Sequence, residues 1–277
     1  FGNVSFMSDG IPINNRLSNA LDLNLFQSES IDSVEIVPLA RGFLFGNYNN
    51  PVSVNFISRE PDSHKPFSRL KYYQAPNNEG LIDWIFNINP FSKLNAYVEV
   101  SNQSTSPYYA NSDYSNWSGT ASYRYVKSVV QLNGGVDADS INRGFSSSQL
   151  NDILYDKFRA PVRFTNRYQK ATVNDFRLRM LANFFENSFT DLSLYYQSNL
   201  TEFRQNEYSA LSEFKVKKIV DDNFHKTIGV NLRQDLKFEY GKLISQTNFE
   251  RSTFNSPLLA QETDKSSFSE SLLASLN

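Results

Sequence analysis

Most of the chain alternates between apolar and polar residues. From about residue 68 onward the period is two, as between Phe176 and Phe184, where apolar side chains alternate with Arg177, Arg179 and Asn183. Such alternation is typical of β-strands that have one apolar and one polar face. The pattern predicts ten strands, at residues 68–75, 80–89, 93–103, 116–126, 129–138, 170–184, 189–200, 224–238, 242–253 and 266–277.

Strand length and the connections both indicate a membrane protein. Many predicted strands exceed the roughly 5–6 residues typical of soluble proteins and suit the about 9–11 residues that a tilted strand needs to cross a membrane. Tight connections follow the even-numbered strands, and mostly long polar ones follow the odd-numbered strands. Short turns on one rim and long loops on the other are the pattern of outer-membrane barrels, with the turns periplasmic.

Aromatic residues are concentrated near the predicted tight turns, as expected for rings at the boundary between hydrocarbon and headgroups. A soluble β-sandwich also alternates, but it does not explain the strand lengths, the alternating connections and these aromatics together. The residues concerned are Phe91, Tyr125, Phe184, Phe185, Phe189, Phe238 and Tyr240.

The polar face of the predicted strands carries both signs of charge. If the apolar face meets lipid, the polar face lines a lumen, and mixed charges do not form the one-signed ring of a selective ion filter. They suit a wide, wet interior or one occupied by another polar domain. The predicted lumen residues are Asp83, Glu99, Arg124, Arg177, Arg179, Arg233, Asp235 and Lys237.

Residues 1–60 have a different pattern, which predicts a small α/β segment. Asp9-Gly10 predicts a turn, and residues 16–28 place Leu17, Leu21 and Leu25 on one face of a helix. Alternating strands follow around residues 33–36 and 52–56. Residues 61–67 form a polar linker. We therefore expect a segment at 1–60, the linker at 61–67 and the strands of a partial barrel at 68–277.

Composition excludes several classes of function. The net charge is −2 and the pI about 5.8, so no basic footprint indicates nucleic-acid binding. Cysteine is absent, and His64 and His225 have no second ligand at metal-binding spacing. No G-x-S-x-G or comparable nucleophile motif is present. We predict neither an enzyme nor a metal or cofactor site.

Two stretches of the predicted loops leave other interpretations open. Residues 137–144 gather side-chain oxygens but lack the glycine and glutamate of an EF-hand loop. A strand that runs into a polar loop is favoured there, and calcium in the outer loops stays possible. Residues 148–158 have helical spacing, which predicts a short helix in the third outer loop.

Residues 31–59 resemble a known family motif. They can be laid without a gap on the run IESIEVLRGPASALYGSNAVGGVINIITK, which ends the plug domain of many TonB-dependent outer-membrane receptors. Ile31, Ser33, Glu35, Gly46 and Asn55 are among the coincidences. Upstream, residues 6–14 resemble the plug segment V-x-V-D-G-V-P-L-N. The family's Arg-Gly-Pro falls on residues 38–40 and its Gly-Gly on residues 51–52, where this sequence has other residues.

The resemblance implies part of a plug domain followed by the first strands of a 22-stranded barrel. Because the chain begins at Phe1 and ends within a predicted strand, we expect a piece of a longer protein. The implied function is binding of a scarce solute and import coupled to a TonB-type energy-transducing complex. A passive porin or adhesion barrel with a vestigial plug is the alternative. The implied partners are outer-membrane lipid and a siderophore, cobalamin, saccharide or peptide.

Two groups of residues are candidates for substrate contact. In the plug loop, the resemblance points to Arg41, Tyr48, Asn49 and Asn50, which otherwise would contact the barrel wall. In the second outer loop, aromatic side chains can stack on ligands or belong to the outer interfacial girdle. These aromatic candidates are Tyr108, Tyr109, Tyr114 and, next to them, Trp117.

Overall fold

A computed structural model describes residues 4–19, 21–25, 28–38, 50–59, 65–106, 113–127, 130–144, 167–184, 187–206 and 218–276, with the backbone only at 77, 127 and 130–144. These residues form two sheets. The first has four strands in the order β2-β1-β4-β3, in which β1 and β4 are parallel and the other pairs are antiparallel. Its strands are β1 Val4–Ser8, β2 Ile11–Pro12, β3 Ile31–Pro38 and β4 Val52–Ser58.

The predicted turn at Asp9-Gly10 joins β1 to β2. Both residues have positive φ, 50° at Asp9 and 81° at Gly10, a backbone region that glycine and aspartate tolerate best. The Asp9 carboxylate accepts hydrogen bonds from the backbone N–H and the hydroxyl of Ser58, at 2.9 and 2.6 Å. One aspartate therefore shapes the turn and holds the end of β4.

The predicted helix at 16–28 is wrong for the residues described there. The structure has a turn at 16–18 and 3-10 segments at Leu23–Leu25 and Ser28–Ser30. The side chain of Asn15 accepts hydrogen bonds from the N–H of Leu17 and Ser18, and that of Asp22 accepts one from Asn24. Such side-chain bonds compete with helical ones, so the leucine spacing alone did not decide the backbone.

The second sheet contains ten strands, as predicted. They are antiparallel and follow one another in sequence order from β5 to β14. We call this sheet the wall. Its strands are β5 Phe67–Ala75, β6 Glu79–Phe91, β7 Leu94–Thr105, β8 Tyr114–Lys127, β9 Val130–Gly144, β10 Arg167–Ala182, β11 Ser188–Gln205, β12 Ile219–Phe238, β13 Gly241–Asn255 and β14 Thr263–Leu276.

The tight connections are confirmed, and the strands are longer than predicted at the opposite end. β11 was expected to end at residue 200 and β12 to begin at 224, yet residues 201–205 pair with 219–223. These extensions are mostly polar, with Glu202, Arg204 and Asp222 among them. Strand pairing is made by backbone hydrogen bonds and does not require alternating side chains. Polar strand ends can therefore pair without the alternation that identifies the remainder of each strand. The predicted helix at 148–158 lies outside the described residues.

The two faces of the wall are inverted relative to a soluble sheet. Polar side chains on the face toward the first sheet are buried, including Asp83, Glu99 and Asp235, as predicted for the lumen side. Large apolar side chains on the other face are exposed, and this arrangement is expected where that face meets lipid. They include Leu70, Ile82, Trp84, Val100, Phe176, Leu178, Leu194, Ile228, Val230, Phe249, Phe268 and Leu272.

Aromatic side chains cluster at the tight-turn end of the wall. Those described are all more than one third exposed, which fits an interfacial girdle. Phe185 lies outside the described residues. The exposed members are Phe91, Tyr125, Phe184, Phe189, Phe238 and Tyr240.

The outermost wall strands, β5 and β14, each pair with one neighbour within the described residues. An unpaired edge presents backbone N–H and C=O groups that can bind another chain. We therefore expect the 277-residue chain, produced alone and refolded in detergent, to form polydisperse oligomers in size-exclusion chromatography with light scattering. A monodisperse monomer that melts cooperatively would contradict this expectation.

Candidate functional site

The first sheet and the described residues around it, 4–19, 21–25, 28–38 and 50–59, lie against the polar face of the wall. We call these residues the plug segment. Its central contact is an ion pair between Arg16 and Glu250 of β13, whose side chains are only 1% and 3% exposed. The Arg16 guanidinium donates to both Glu250 oxygens, at 2.6 and 3.2 Å, and to the carbonyl oxygens of Pro12 and Asn14. Because both charged groups are buried, removal of either one would leave the other as an uncompensated buried charge.

The wall supports this ion pair with a second layer of contacts. Tyr195 of β11 donates its hydroxyl to Glu250 at 2.7 Å, and its ring lies over Gly229 of β12, which is its direct partner in the ladder. Gln197 accepts a hydrogen bond from Arg16 at 3.2 Å and donates to Asp175 at 3.0 Å. From the wall, Tyr195 therefore holds the Glu250 carboxylate and Gln197 holds the Arg16 guanidinium.

A second contact holds the turn between β1 and β2. Arg177 donates to the hydroxyl of Ser8 at 2.7 Å and forms a 3.6 Å ion pair with Asp9. Asn231 of β12 donates to the carbonyl oxygen of Gly10 at 3.0 Å. The wall therefore contacts the same residues that form the Asp9-Gly10 turn.

A third contact lies near the outer end of β8. Tyr114 and Asn116 both donate to the carbonyl oxygen of Asn24, each at 3.1 Å. Next to it, Leu25 packs against Ala171 of β10. This part of the plug segment is attached to the wall by a backbone oxygen and one leucine.

A fourth contact joins the plug segment to the first wall strand. Glu29 accepts hydrogen bonds from Lys71 at 2.6 Å and from Arg69 at 3.3 Å. The hydrogen bond from Lys71 lowers the pKa of Glu29 below its ordinary value, and partial burial opposes this shift. A lowered pKa means that the contact stabilises docking above the ordinary pKa of glutamate and is lost as the pH falls through the lowered value.

Hydrogen exchange tests the Glu29 contact. The Arg59 amide donates to the carbonyl oxygen of Ser30, next to Glu29. In the complete protein, protection of this amide should decrease as the pH falls below the ordinary glutamate pKa. The Glu29→Gln variant should show weaker protection that no longer depends on pH in this range. Identical pH profiles for the two proteins would show that Glu29 does not support docking.

A cavity of about 540 Å³ lies between the plug segment and the wall, among these contacts. On the wall side it is lined by hydroxyls and amides, including Ser118, Thr120 and Gln197, and by charged side chains, including Asp175 and Arg177. A second space, of about 790 Å³, shares Asp9, Arg124 and Arg179 with it, among other lining residues. In the described part of the chain, no group of three or more His, Cys, Asp or Glu side chains is arranged to hold a metal.

The structure describes two of the seven predicted substrate residues. Asn50 donates to the Ser5 hydroxyl at 2.9 Å, within the plug segment. Tyr114 faces the plug segment through its bond to Asn24, whereas neighbouring Trp117 is 58% exposed on the other face, where an outer girdle would lie. The remaining predicted residues lie outside the described ranges; they are Arg41, Tyr48, Asn49, Tyr108 and Tyr109.

Arg16, Glu29 and Glu250 were missed as contact residues in the sequence. Glu250 had a detectable signal, since it is a carboxylate at an inward position of an alternating strand. Arg16 had no such sequence signal other than its position just after the plug-like segment 6–14.

No protein-family model matches the sequence, and no curated protein sequence matches it. Several solved structures do match the chain. FpvA from P. aeruginosa, bound to a pyoverdine and iron, matches with a TM-score of 0.73 at 13% identity. The match covers 91% of this chain and 36% of FpvA. The chain has the fold of TonB-dependent outer-membrane receptors.

Two other structures of this kind match as well. Fiu, the ferric-catecholate import receptor from E. coli K12, has a TM-score of 0.72 at 12% identity, with 92% of this chain and 43% of Fiu covered. The copper transporter OprC has a TM-score of 0.72 at 10% identity, with 99% and 43% covered. The chain therefore spans about two fifths of these structures. The resemblance to TonB-dependent receptors seen at residues 31–59 is confirmed at the level of a largely antiparallel β-sheet fold.

No helix in the described residues is both long and apolar enough to cross a membrane.

Proposed function

We propose that this chain is the plug end and the first part of the barrel of an outer-membrane receptor that imports a scarce solute with TonB-type energy coupling. The observation that carries the proposal is the buried Arg16–Glu250 pair. It seats a polar segment on the inner face of a wall whose outer face is apolar. A plug held in this way would block the lumen. A solute would then cross only if energy were used to move the plug or if a space were left beside it.

The fold supports a transport function. FpvA, Fiu and OprC are named as receptors or transporters. The apolar outer face of the wall would contact outer-membrane lipid. The ligand would be a small molecule from among siderophores, cobalamin, saccharides and peptides. Fold alone does not select one of them.

Uptake by cells tests this function. The complete protein is produced in a Gram-negative host that lacks its own receptors for the probes. Uptake of a labelled ferric siderophore, cobalamin, a saccharide and a peptide is then measured with and without a protonophore. We expect one probe to be taken up in a protein-dependent manner that the protonophore reduces at least tenfold. Protein-dependent uptake that the protonophore leaves unchanged would contradict energy coupling.

A passive barrel with a plug is the second candidate. The cavity between the plug segment and the wall favours it, because a space that already exists needs no force to open it. In the uptake experiment it predicts entry that is insensitive to the protonophore.

A further inference from the structure

Two carboxyl groups are buried side by side on the inner face of the wall. Asp83 of β6 and Glu99 of β7 are 0% and 2% exposed. Glu99 pairs with Ile85, two residues along β6 from Asp83, so the two side chains are diagonal neighbours on one face of the sheet. The carboxyl groups are close enough to form a hydrogen bond with each other. They lie on other strands than the ion pair that seats the plug segment.

Each of these carboxyl groups has one oxygen with a donor and one without. An Asp83 oxygen accepts a hydrogen bond from Arg69 of β5 at 2.6 Å, and a Glu99 oxygen accepts one from the hydroxyl of Tyr97. The other two oxygens are buried, and no donor from the described residues reaches them. An ionised carboxylate can only accept hydrogen bonds. As two carboxylates, the pair would therefore place two like charges and two unsatisfied acceptors in one buried site.

A single proton between the two carboxyl groups satisfies both remaining oxygens. A protonated Glu99 can donate from one oxygen to Asp83, while its other oxygen still accepts from Tyr97. Two carboxyl groups that share a site ionise one at a time, because the first charge opposes the second. The arrangement therefore favours one proton for the pair.

The surrounding side chains favour Glu99 as the group that carries the proton. Arg69 contacts Asp83 directly and compensates its charge. Arg59 of the plug segment attracts Glu99 through space but forms no hydrogen bond with it among the described contacts. On β8 the direct partner of Glu99 is the uncharged Thr120. The charged and titratable side chains around the pair, among the described residues, are Arg69 and Lys71 of β5, Tyr97 of β7, and Glu29 and Arg59 of the plug segment.

Arg69 connects the pair to the plug segment. One nitrogen of its guanidinium donates to Asp83 at 2.6 Å and to Glu29 at 3.3 Å. A second negative charge, on Glu99, would draw this guanidinium toward the wall and weaken its bond to Glu29. Attraction between Glu99 and Arg59 would oppose this effect, but without a hydrogen bond it is the weaker of the two.

We infer that Asp83 and Glu99 form a proton-binding site, which holds one proton between the two carboxyl groups and so keeps Arg69 in contact with Glu29. The inference goes beyond the proposed function and does not depend on which solute is transported. The contact between β5 and the plug segment is complete while the pair holds its proton and weakens as the pH rises and the proton is lost. It therefore has an upper pH limit as well as the lower limit set by Glu29.

Infrared spectroscopy of the complete protein in lipid detects this proton directly, because a neutral carboxyl group has a C=O stretching band that a carboxylate lacks. The spectrum is recorded at roughly two pH units above the ordinary glutamate pKa, where exposed carboxyl groups are ionised. We expect a band that Glu99→Gln removes and that Glu239→Gln, in an exposed turn, leaves unchanged. A spectrum unchanged by Glu99→Gln would overturn the site. So would an absence of the band, which is the result expected if a metal cation lies between two carboxylates.

The Asp83→Asn variant distinguishes a shared proton from the burial of Glu99 alone. The asparagine amide can donate to Glu99, and its oxygen can accept from Arg69, so Glu99 can ionise in place of Asp83. We therefore expect this variant to lose the band as well. A band that persists would show that burial alone keeps Glu99 protonated, and the shared site would be refuted.

Hydrogen exchange of the Arg59 amide measures the effect on the plug segment. In the natural protein, protection of this amide should fall roughly fivefold as the pH rises through the loss of the infrared band, which is the effect of about one weakened hydrogen bond. The glutamine of Glu99→Gln can donate to Asp83 and accept from Tyr97, as the protonated glutamate does, so its protection should not fall. Equal pH profiles for the two proteins would overturn the link to Glu29. Neither measurement depends on uptake, so failure of the proposed transport function leaves both tests intact.

Discussion

The Glu250→Ala variant is expected to release the plug segment from the wall far more often than the natural protein does. It leaves Arg16 buried without its carboxylate, and breaking a buried pair from one side typically costs about 3–5 kcal/mol. Hydrogen exchange of β1 and β4 in the complete protein measures this opening. Their amides should exchange faster by roughly a hundredfold to several thousandfold. An unchanged exchange rate would show that the pair does not hold the segment.

Two further variants control for this effect. Glu239→Ala removes an exposed carboxylate in the tight turn after β12 and should leave exchange unchanged. Replacing both partners, in Arg16→Met with Glu250→Leu, removes the buried charges together and should recover most of the lost protection. If the double variant is as open as Glu250→Ala alone, the loss arises from packing and not from the unpaired arginine.

The Gly229→Ala variant should weaken the same docking contact from within the wall. A methyl group at this position would overlap the ring of Tyr195, which must then move. Its hydroxyl would lose the 2.7 Å bond to Glu250, and overpacking typically costs about 1–3 kcal/mol. We expect faster exchange in β1 and β4, by roughly tenfold or more, with the wall strands still protected.

Gly119→Ala is the matched control for this variant. A methyl group there would meet only the Glu99 carbonyl oxygen at 3.9 Å, an ordinary contact. It should leave exchange in the plug segment unchanged. If both alanine variants behave alike, the effect at Gly229 is a general loss of glycine and does not act through Tyr195.

The architecture of the wall was predictable from the sequence because its signal is local. Alternation such as that from Phe176 to Ala182 repeats with every strand, and the tight turns fix which strands are neighbours. The inversion of the faces was predictable for the same reason. What alternation does not encode is how far a strand extends once its side chains become polar, as at Thr201 to Gln205.

The docking contacts were not predictable from local signals. Arg16 and Glu250 are 234 residues apart, and nothing near either one indicates the other. The backbone next to Asn15 and Asp22 also was not predicted, because the hydrogen bonds that these two side chains accept outweigh the leucine spacing. The plug interpretation came from the family resemblance at residues 31–59, because alternation alone does not indicate a plug.

Spin labels placed along β12 of the complete protein, reconstituted in lipid, can decide whether the wall faces lipid on one side and the plug segment on the other. These 277 residues contain no cysteine, so a single label can be placed at Ile228, at Val230 or, on the opposite face of the strand, at Arg233. Labels at 228 and 230 should collide with dissolved oxygen and be shielded from a water-soluble nickel reagent. A label at 233 should collide less often with oxygen than those two. A uniform profile at these three positions, or nickel access at 228 and 230, would show that this face does not contact lipid.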